Sequence, residues 1–450
     1  MIANRGNHMR RILPGVMVAL AASAACELDV PSLNNPIVGG DATRSSAIAT
    51  AQGLMVNVRN ISTALVVNFG IWGRELYNMP AEEPRPIFDN LIGPRDPNSF
   101  GSGAAFNYGT LVEVRELLRT VDGLENMTDA EKEGIRGWAK TVAGIAYAQT
   151  AMVYPEFGAP VRPPEEPTGA LEPIANGEEL FAEAIRFFDE GYQHLQSAGG
   201  AFAFTLTEGY AGFETPATLM RANRALKART LKYRGDWQGA LTALGESFID
   251  SDADLNMGIW SNYFATDNAF NPFFAPRTQY VHPRILADAQ LKANGEKDDR
   301  AVQKTVAAAP ETVQGITGTE KNNIYRADVA PFPLITNEEL ILIRAEARLA
   351  TGDAAGALED VNTIRTRAGG LDPVAGLTGD ALLTEILYNK LYSLFYRGGW
   401  TYWDARQYDR LDQLPRALPS HVVFDRVNWG SNECIQRGMT DGPCGPVDGF

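Results

Sequence analysis

Residues 345–358 read AEARLATGDAAGAL, and residues 228–241 read ARTLKYRGDWQGAL. The two stretches share Ala228/Ala345, Gly235/Gly352, Asp236/Asp353, Gly239/Gly356, Ala240/Ala357 and Leu241/Leu358. Each reads as a helix hairpin. The first glycine ends one helix in a left-handed conformation, and the aspartate caps the next. Alanines on both sides of the turn, with the second glycine, let the two helices approach closely. This is the junction of tetratricopeptide-type helix pairs, and two copies separated by irregular chain predict scattered pairs rather than a regular solenoid.

Working outward, helical periodicity dominates. Thr128 and Glu131 form a capping box ahead of Ile135, Trp138, Val142, Ile145 and Met152. Prolines from Pro155 to Pro173 stop that helix. A second run carries Leu180, Ala184, Phe187, Phe188 and Leu195 and closes at Gly199-Gly200. Thr336 and Glu339 can make another capping box, with Leu340, Ile343, Ala347 and Ala350 on one face. A further helix holds Leu383, Ile386, Leu387, Leu391, Leu394 and Phe395 and stops at Gly398-Gly399. Two long segments rich in proline, glycine and aromatics, about 250–335 and 400–450, read as loops of a length that usually serves function. The fold class is mainly α: tetratricopeptide-like helix pairs with long irregular segments packed on them.

The chain has 450 residues, 40 basic and 55 acidic, for a net charge of −15. That balance repels nucleic acid and anionic headgroups. At the amino terminus, Arg10 and Arg11 precede an apolar run over residues 12–22 and then Ser23-Ala24-Ala25-Cys26. Residues 1–25 therefore read as a signal peptide. Cys26 is placed to become the acylated first residue of a lipoprotein, anchored without a transmembrane helix. Cys434 and Cys444 are the only other cysteines, and in an exported chain they are expected to pair.

From Pro331 the chain continues PFPLITNEELILIRAEARLATGDAAGALEDVNTIRTRAGG and, after an interval, LTGDALLTEILYNKLYSLFYRGGWTYWDARQY. This region, about 331–410, resembles the carboxy-terminal signature of the SusD/RagB family of outer-membrane nutrient-binding lipoproteins. LDVPSLNNP after Cys26, YPEFGAPV over 154–161 and the Gly235-Asp236-Trp237 turn agree with it in order, so the resemblance spans 26–450. Departures at Asn389, Lys390, Ser393 and Arg397 fall at positions expected to support the fold. The resemblance implies a SusD-like fold facing the cell exterior on a bacterial outer membrane. It further implies a SusC-type TonB-dependent barrel transporter as partner, and an oligosaccharide or peptide as cargo.

The chemistry-bearing residues fit binding better than catalysis. No P-loop, GxGxxG, GxSxG or HExxH string occurs, and no cofactor or metal is expected. Asp250, Asp252 and Asp254 alternate like calcium-loop ligands. Leu255 then stands where such a loop needs glycine, and Ser261 where it needs glutamate. The acids offer many carboxylate pairs, and no spacing singles one out, so a glycan-cleaving enzyme is one rival reading. A helical lipoprotein scaffold for other proteins is the second. Aromatics are more informative: Trp72 and Tyr77 lie beside Asn78, and Trp260, Tyr263, Phe264, Phe270, Phe273 and Phe274 crowd a stretch with Asn262, Asn268 and Asn271. Rings stack on sugar C–H faces and amides meet hydroxyls; the same rings also serve to pin a long loop to the body. The ligand candidates are Trp72, Tyr77, Asn78, Trp260, Asn262 and Tyr263.

Overall fold

The computed structural model describes residues 43–103, 106–162 and 171–450. Residues 1–25, read from the sequence as a signal peptide, and Cys26 lie outside them. Two helices open the described chain, α1 (Arg44–Ala64) and α2 (Val66–Trp72). Next come the short strand β1 (Leu76–Asn78) and then α3 (Tyr108–Gly123), α4 (Asp129–Val153) and α5 (Gly177–Gln196). The Thr128–Glu131 capping box forms, and a second one joins Asn176 to Glu179 at the start of α5. α1 and α3 both pack on α4, which packs in turn on α5. The indole of Trp138 donates to the Ala51 carbonyl at 2.7 Å, fixing α1 to α4. α4 and α5 touch through glycines. A Cβ at Gly137 would meet Leu195 at 2.7 Å, and one at Gly191 would meet the Gly137 carbonyl at 3.0 Å.

The first hairpin joins α6 (Pro216–Arg234) to α7 (Trp237–Gly245), and the second joins α8 (Asn337–Ala350) to α9 (Ala354–Gly369). Gly235 and Gly352 have φ of +87° and +93°, which only glycine adopts without strain. Asp236 and Asp353 each accept from the backbone N–H three residues on, at 2.9 Å. Ala228, Ala240, Ala345 and Ala357 are all fully buried. α10 (Gly379–Ser393) packs against α8 and α9, and α11 (Trp400–Gln407) packs against α2 and α10.

Two expectations change. Thr336 makes no side-chain cap to α8. It is the last residue of a strand, and Glu339 is drawn away to Arg229 of α6, whose Nε lies 2.5 Å from its Oε1. The charged pair with α6 outcompetes a local cap. Secondly, α10 ends at Ser393 rather than at Gly398, because Tyr396 turns the chain at φ +63°.

The long segment after α7 is not all loop. It contains β2 (Gly258–Ser261), β3 (Gln279–Val281), the hairpin of β4 (Thr305–Val313) with β5 (Ile316–Asn322), and β6 (Phe332–Thr336). β2 pairs antiparallel with β6, and β3 with β1. The β1–β3 pairing carries the segment after β1 to the side of residues 264–278.

Charges support the frame around Lys390, Ser393 and Arg397. Lys232 and Lys390 alternate with Glu346 and Asp404 in a buried box that unites α6, α8, α10 and α11, with N–O distances from 2.6 to 3.1 Å. Arg300 donates to the Ser393 hydroxyl at 2.9 Å, and Arg397 to the Thr336 hydroxyl at 3.2 Å. The last segment is closed by a disulfide between Cys434 and Cys444, which holds α12 (Ser431–Arg437) against the following turn.

Candidate functional site

The six ligand candidates fall into two separate groups. Trp72 is 2% exposed, packed among Phe69, Tyr402 and Phe424, with Arg95 over its ring at 4.8 Å. Its indole N–H donates to Asn90 at 2.9 Å, so both face and polar edge are used inside the core. Tyr77 is equally buried, against the ring of His282, and burial pushes its hydroxyl up to about 12. Neither presents a face to a ligand, which corrects the expectation that they stack on one. Asn78 accepts from the Thr278 hydroxyl at 2.7 Å within the β1–β3 pairing.

In the second group, Tyr263 is buried beneath the Arg59 guanidinium of α1, 4.9 Å from its ring centroid. The Asn262 side chain accepts from the Gly209 N–H at 2.6 Å, and its carbonyl from Arg59 at 2.9 Å. These two tie a loop to α1, which is the pinning role rather than the binding one. Trp260 is half-buried, its indole N–H bonded to the Asn256 carbonyl at 3.2 Å. Asp250 and Asp254 accept from backbone N–H groups two residues on, at 2.9 Å in each case, so their side chains shape turns.

The exposed rings lie a few residues further along. The Asn271 amide donates to the Ala330 carbonyl at 2.8 Å, and its backbone N–H to Asp328 at 2.6 Å. Its side-chain oxygen accepts from the N–H of Phe273 at 2.8 Å. Phe273 is buried against Tyr325, Phe332 and Tyr396. With 271 and 273 turned inward, Phe270 and Phe274 project outward, 45% and 41% exposed. A fully bonded anchor between two solvent-facing rings is a rigid platform, where the entropic cost of binding is small.

Phe274 stands at the edge of an open cleft of about 500 Å³, bounded by Pro276 and Arg277 on one side and by Val306, Lys321, Asn323 and Arg326 on the other. The Lys321 ammonium lies 3.4 Å from the Tyr280 ring centroid and donates to the Arg277 carbonyl at 2.7 Å. Burial lowers its pKa from the ordinary lysine value. Arg277 reaches Glu82 at 2.7 Å, linking this cleft to the segment after β1, which carries the exposed rings of Phe88 and Phe100. Phe270 and Phe274 belong to the same aromatic cluster of the sequence as the candidates Trp260 and Tyr263. Only the tertiary ties of Asn271 sort them.

Neither protein-family models nor the curated protein sequences contain a match to this chain. Solved structures do. A laminarin-binding SusD-like protein superposes with a TM-score of 0.66 at 12% identity, covering 91% of this chain and 100% of that one. A SusD superfamily protein from Bacteroides fragilis gives 0.64 at 13% identity, over 91% and 99%. NanU from B. fragilis gives 0.61 at 13%, over 90% and 96%.

The chain has the SusD-like fold. The helix pairs form the frame, and the loop that carries Phe270 and Phe274 lies against the hairpin of β4 and β5.

Proposed function

We propose that this protein captures an oligosaccharide at the cell surface and delivers it to a SusC-type TonB-dependent barrel transporter, with no catalysis of its own. The observation that carries the reading is the outward pair Phe270 and Phe274 on a loop locked by Asn271 and Phe273, beside an open cleft. Aromatic faces held in place suit the C–H faces of sugar rings, and the Asn323 amide and the arginines at the rim suit hydroxyls. The SusD-like neighbours, one of them laminarin-binding, support the same class of ligand. Cys26 would hold the protein by acyl chains to the outer leaflet of an outer membrane, facing the exterior.

The test is a glycan and peptide array probed with the purified full chain, followed by calorimetry on hits. Binding to oligosaccharides, weakened by Phe274→Ala, supports capture; exclusive binding to peptides overturns the sugar assignment. Release of shortened products from labelled glycans would overturn the non-catalytic role. For the anchor, Cys26→Ala should shift the protein out of the membrane fraction.

A further inference from the structure

The cleft beside Phe274 is built from cations. Arg277, Lys321 and Arg326 line it, and among the described residues no carboxylate does. In a chain of net charge −15 this is a local reversal of sign. The bonds these cations make leave most of the charge in place. Lys321 donates to the carbonyls of Pro276 and Arg277 at 3.3 and 2.7 Å, and Arg326 to those of Asn323 and Gln303 at 3.0 and 3.3 Å. Carbonyls orient a cation without neutralising it. The carboxylate nearest Lys321 in effect is Glu311 of β4, which accepts the Tyr280 hydroxyl at 2.8 Å. Arg277 has a carboxylate partner, Glu82, but that pair is 84% and 68% exposed and so weakly held.

Another large concavity among the described residues is treated differently. A groove of about 600 Å³ runs between the loop at Ser99 and α12, and it contains two arginines. Arg162 lies 3.0 Å from Glu172 and Arg437 lies 2.5 Å from Glu433, and all four residues belong to the groove's own wall. One concavity is charge-balanced internally, whereas the one with the exposed phenylalanine is not.

We infer that the Phe274 cleft selects oligosaccharides bearing acidic groups, carboxylate or sulfate, over neutral ones, an inference that rests on the glycan-capture reading. A polyanionic chain approaching a protein of this net charge is repelled everywhere except where cations are gathered, so the cleft both orients the ligand and sets its class. Phe274 supplies the stacking face, and Arg277, Lys321 and Arg326 supply the positive charge.

The experiment is calorimetry on the full chain with three probes of matched length: an oligogalacturonate, a sulfated galactan oligosaccharide and a neutral maltooligosaccharide. At low salt the best acidic probe should bind about tenfold more tightly than the neutral one, the sum of a few exposed charge contacts. That advantage should shrink in 0.5 M salt, where screening shortens to a few ångströms. The double variant R277Q/R326Q should lose the preference. The salt dependence, read on unmodified protein, stands even if the variant fails to fold. Whichever acidic probe binds identifies carboxylate or sulfate. Equal, salt-independent binding of all three overturns the charge selection and leaves glycan capture standing; binding of none removes both.

Discussion

Lys390 of α10 and Asp404 of α11 meet at 2.7 Å in a place that water does not reach, their side chains 2% and 4% exposed. Lys232 closes on the same carboxylate oxygen at 2.6 Å, and Glu346 balances both ammonium groups. Burial alone would disfavour each charge. Instead the two lysines hold the Asp404 carboxyl below the ordinary aspartate value, and Asp404 and Glu346 raise Lys390 above the ordinary lysine value.

The consequence is an unforgiving charge count. Asp404→Asn leaves two ammonium groups facing one carboxylate in the core, and should cost about 3–5 kcal/mol of stability by urea unfolding. Adding Lys232→Met restores the balance and should recover part of that loss. If the double variant is no more stable than Asp404→Asn alone, charge count is not what governs the site.

A second prediction concerns pH. Glu75 is 1% exposed, and its carboxylate accepts from the backbone of Tyr396 at 3.1 Å and from the N–H and hydroxyl of Thr401 at 3.2 and 2.8 Å. Burial outweighs those bonds and raises its pKa from 4.5 to about 6. The folded state therefore holds this proton more tightly than the unfolded chain does. Its contribution is greatest below pH 4.5 and is lost as pH rises through 6, a swing of roughly 2 kcal/mol. Glu75→Gln has no such titration. The stability of the native protein relative to that variant should fall by this amount between pH 4.5 and 7, and a flat difference would show that Glu75 titrates as an ordinary glutamate.

The hairpins offer a packing test. Ala357 is fully buried with Ala345, Val361, Leu382 and Ile386. Ala357→Leu should overfill this contact at a cost of about 1–3 kcal/mol, seen as a lower Tm. Ala355→Leu, at a neighbouring exposed position, should change it little.

The disulfide gives the fourth. Cys434 and Cys444 close a short loop that holds α12 to the turn after it. Replacing both by serine should lower stability by about 3 kcal/mol in the loop-entropy account. Reductant should lower the Tm of the native protein and leave the double variant unmoved; equal responses would argue that the bond contributes nothing.

What was legible in the sequence follows from how local the governing physics is. Gly235-Asp236 and Gly352-Asp353 dictate their turns through φ and a cap within three residues, so two lines of sequence were enough. The Thr336–Glu339 cap failed because Arg229, more than a hundred residues away, competes for the same carboxylate. The hairpin of β4 and β5 was hidden by Ala307, Ala308, Ala309 and Pro310, which alternate poorly and sit where the register shifts between Ala307 and Glu311. The candidate site was half legible. Composition located the aromatic stretch, but which rings face outward depends on bonds from Asn271 to Asp328 and Ala330 that no local pattern encodes.

That sorting is itself testable. Trp72→Ala removes an indole buried among Phe69, Tyr402 and Phe424 together with a 2.9 Å bond to Asn90, and should cost about 3–5 kcal/mol, enough to unfold a marginal protein. Phe274→Ala removes a ring already 41% exposed, and should leave the Tm within a degree or two while weakening glycan binding by about 1–3 kcal/mol, five- to over a hundredfold. Phe273→Ala separates stability from binding on neighbouring residues: it should behave like Trp72→Ala, because its ring fills the space between Tyr325, Phe332 and Tyr396. Thermal melts and calorimetry on the three variants decide the matter. If Phe274→Ala binds as well as the native protein while folding normally, the platform is not at this cleft; if Trp72→Ala folds normally and loses binding, Trp72 contacts the ligand.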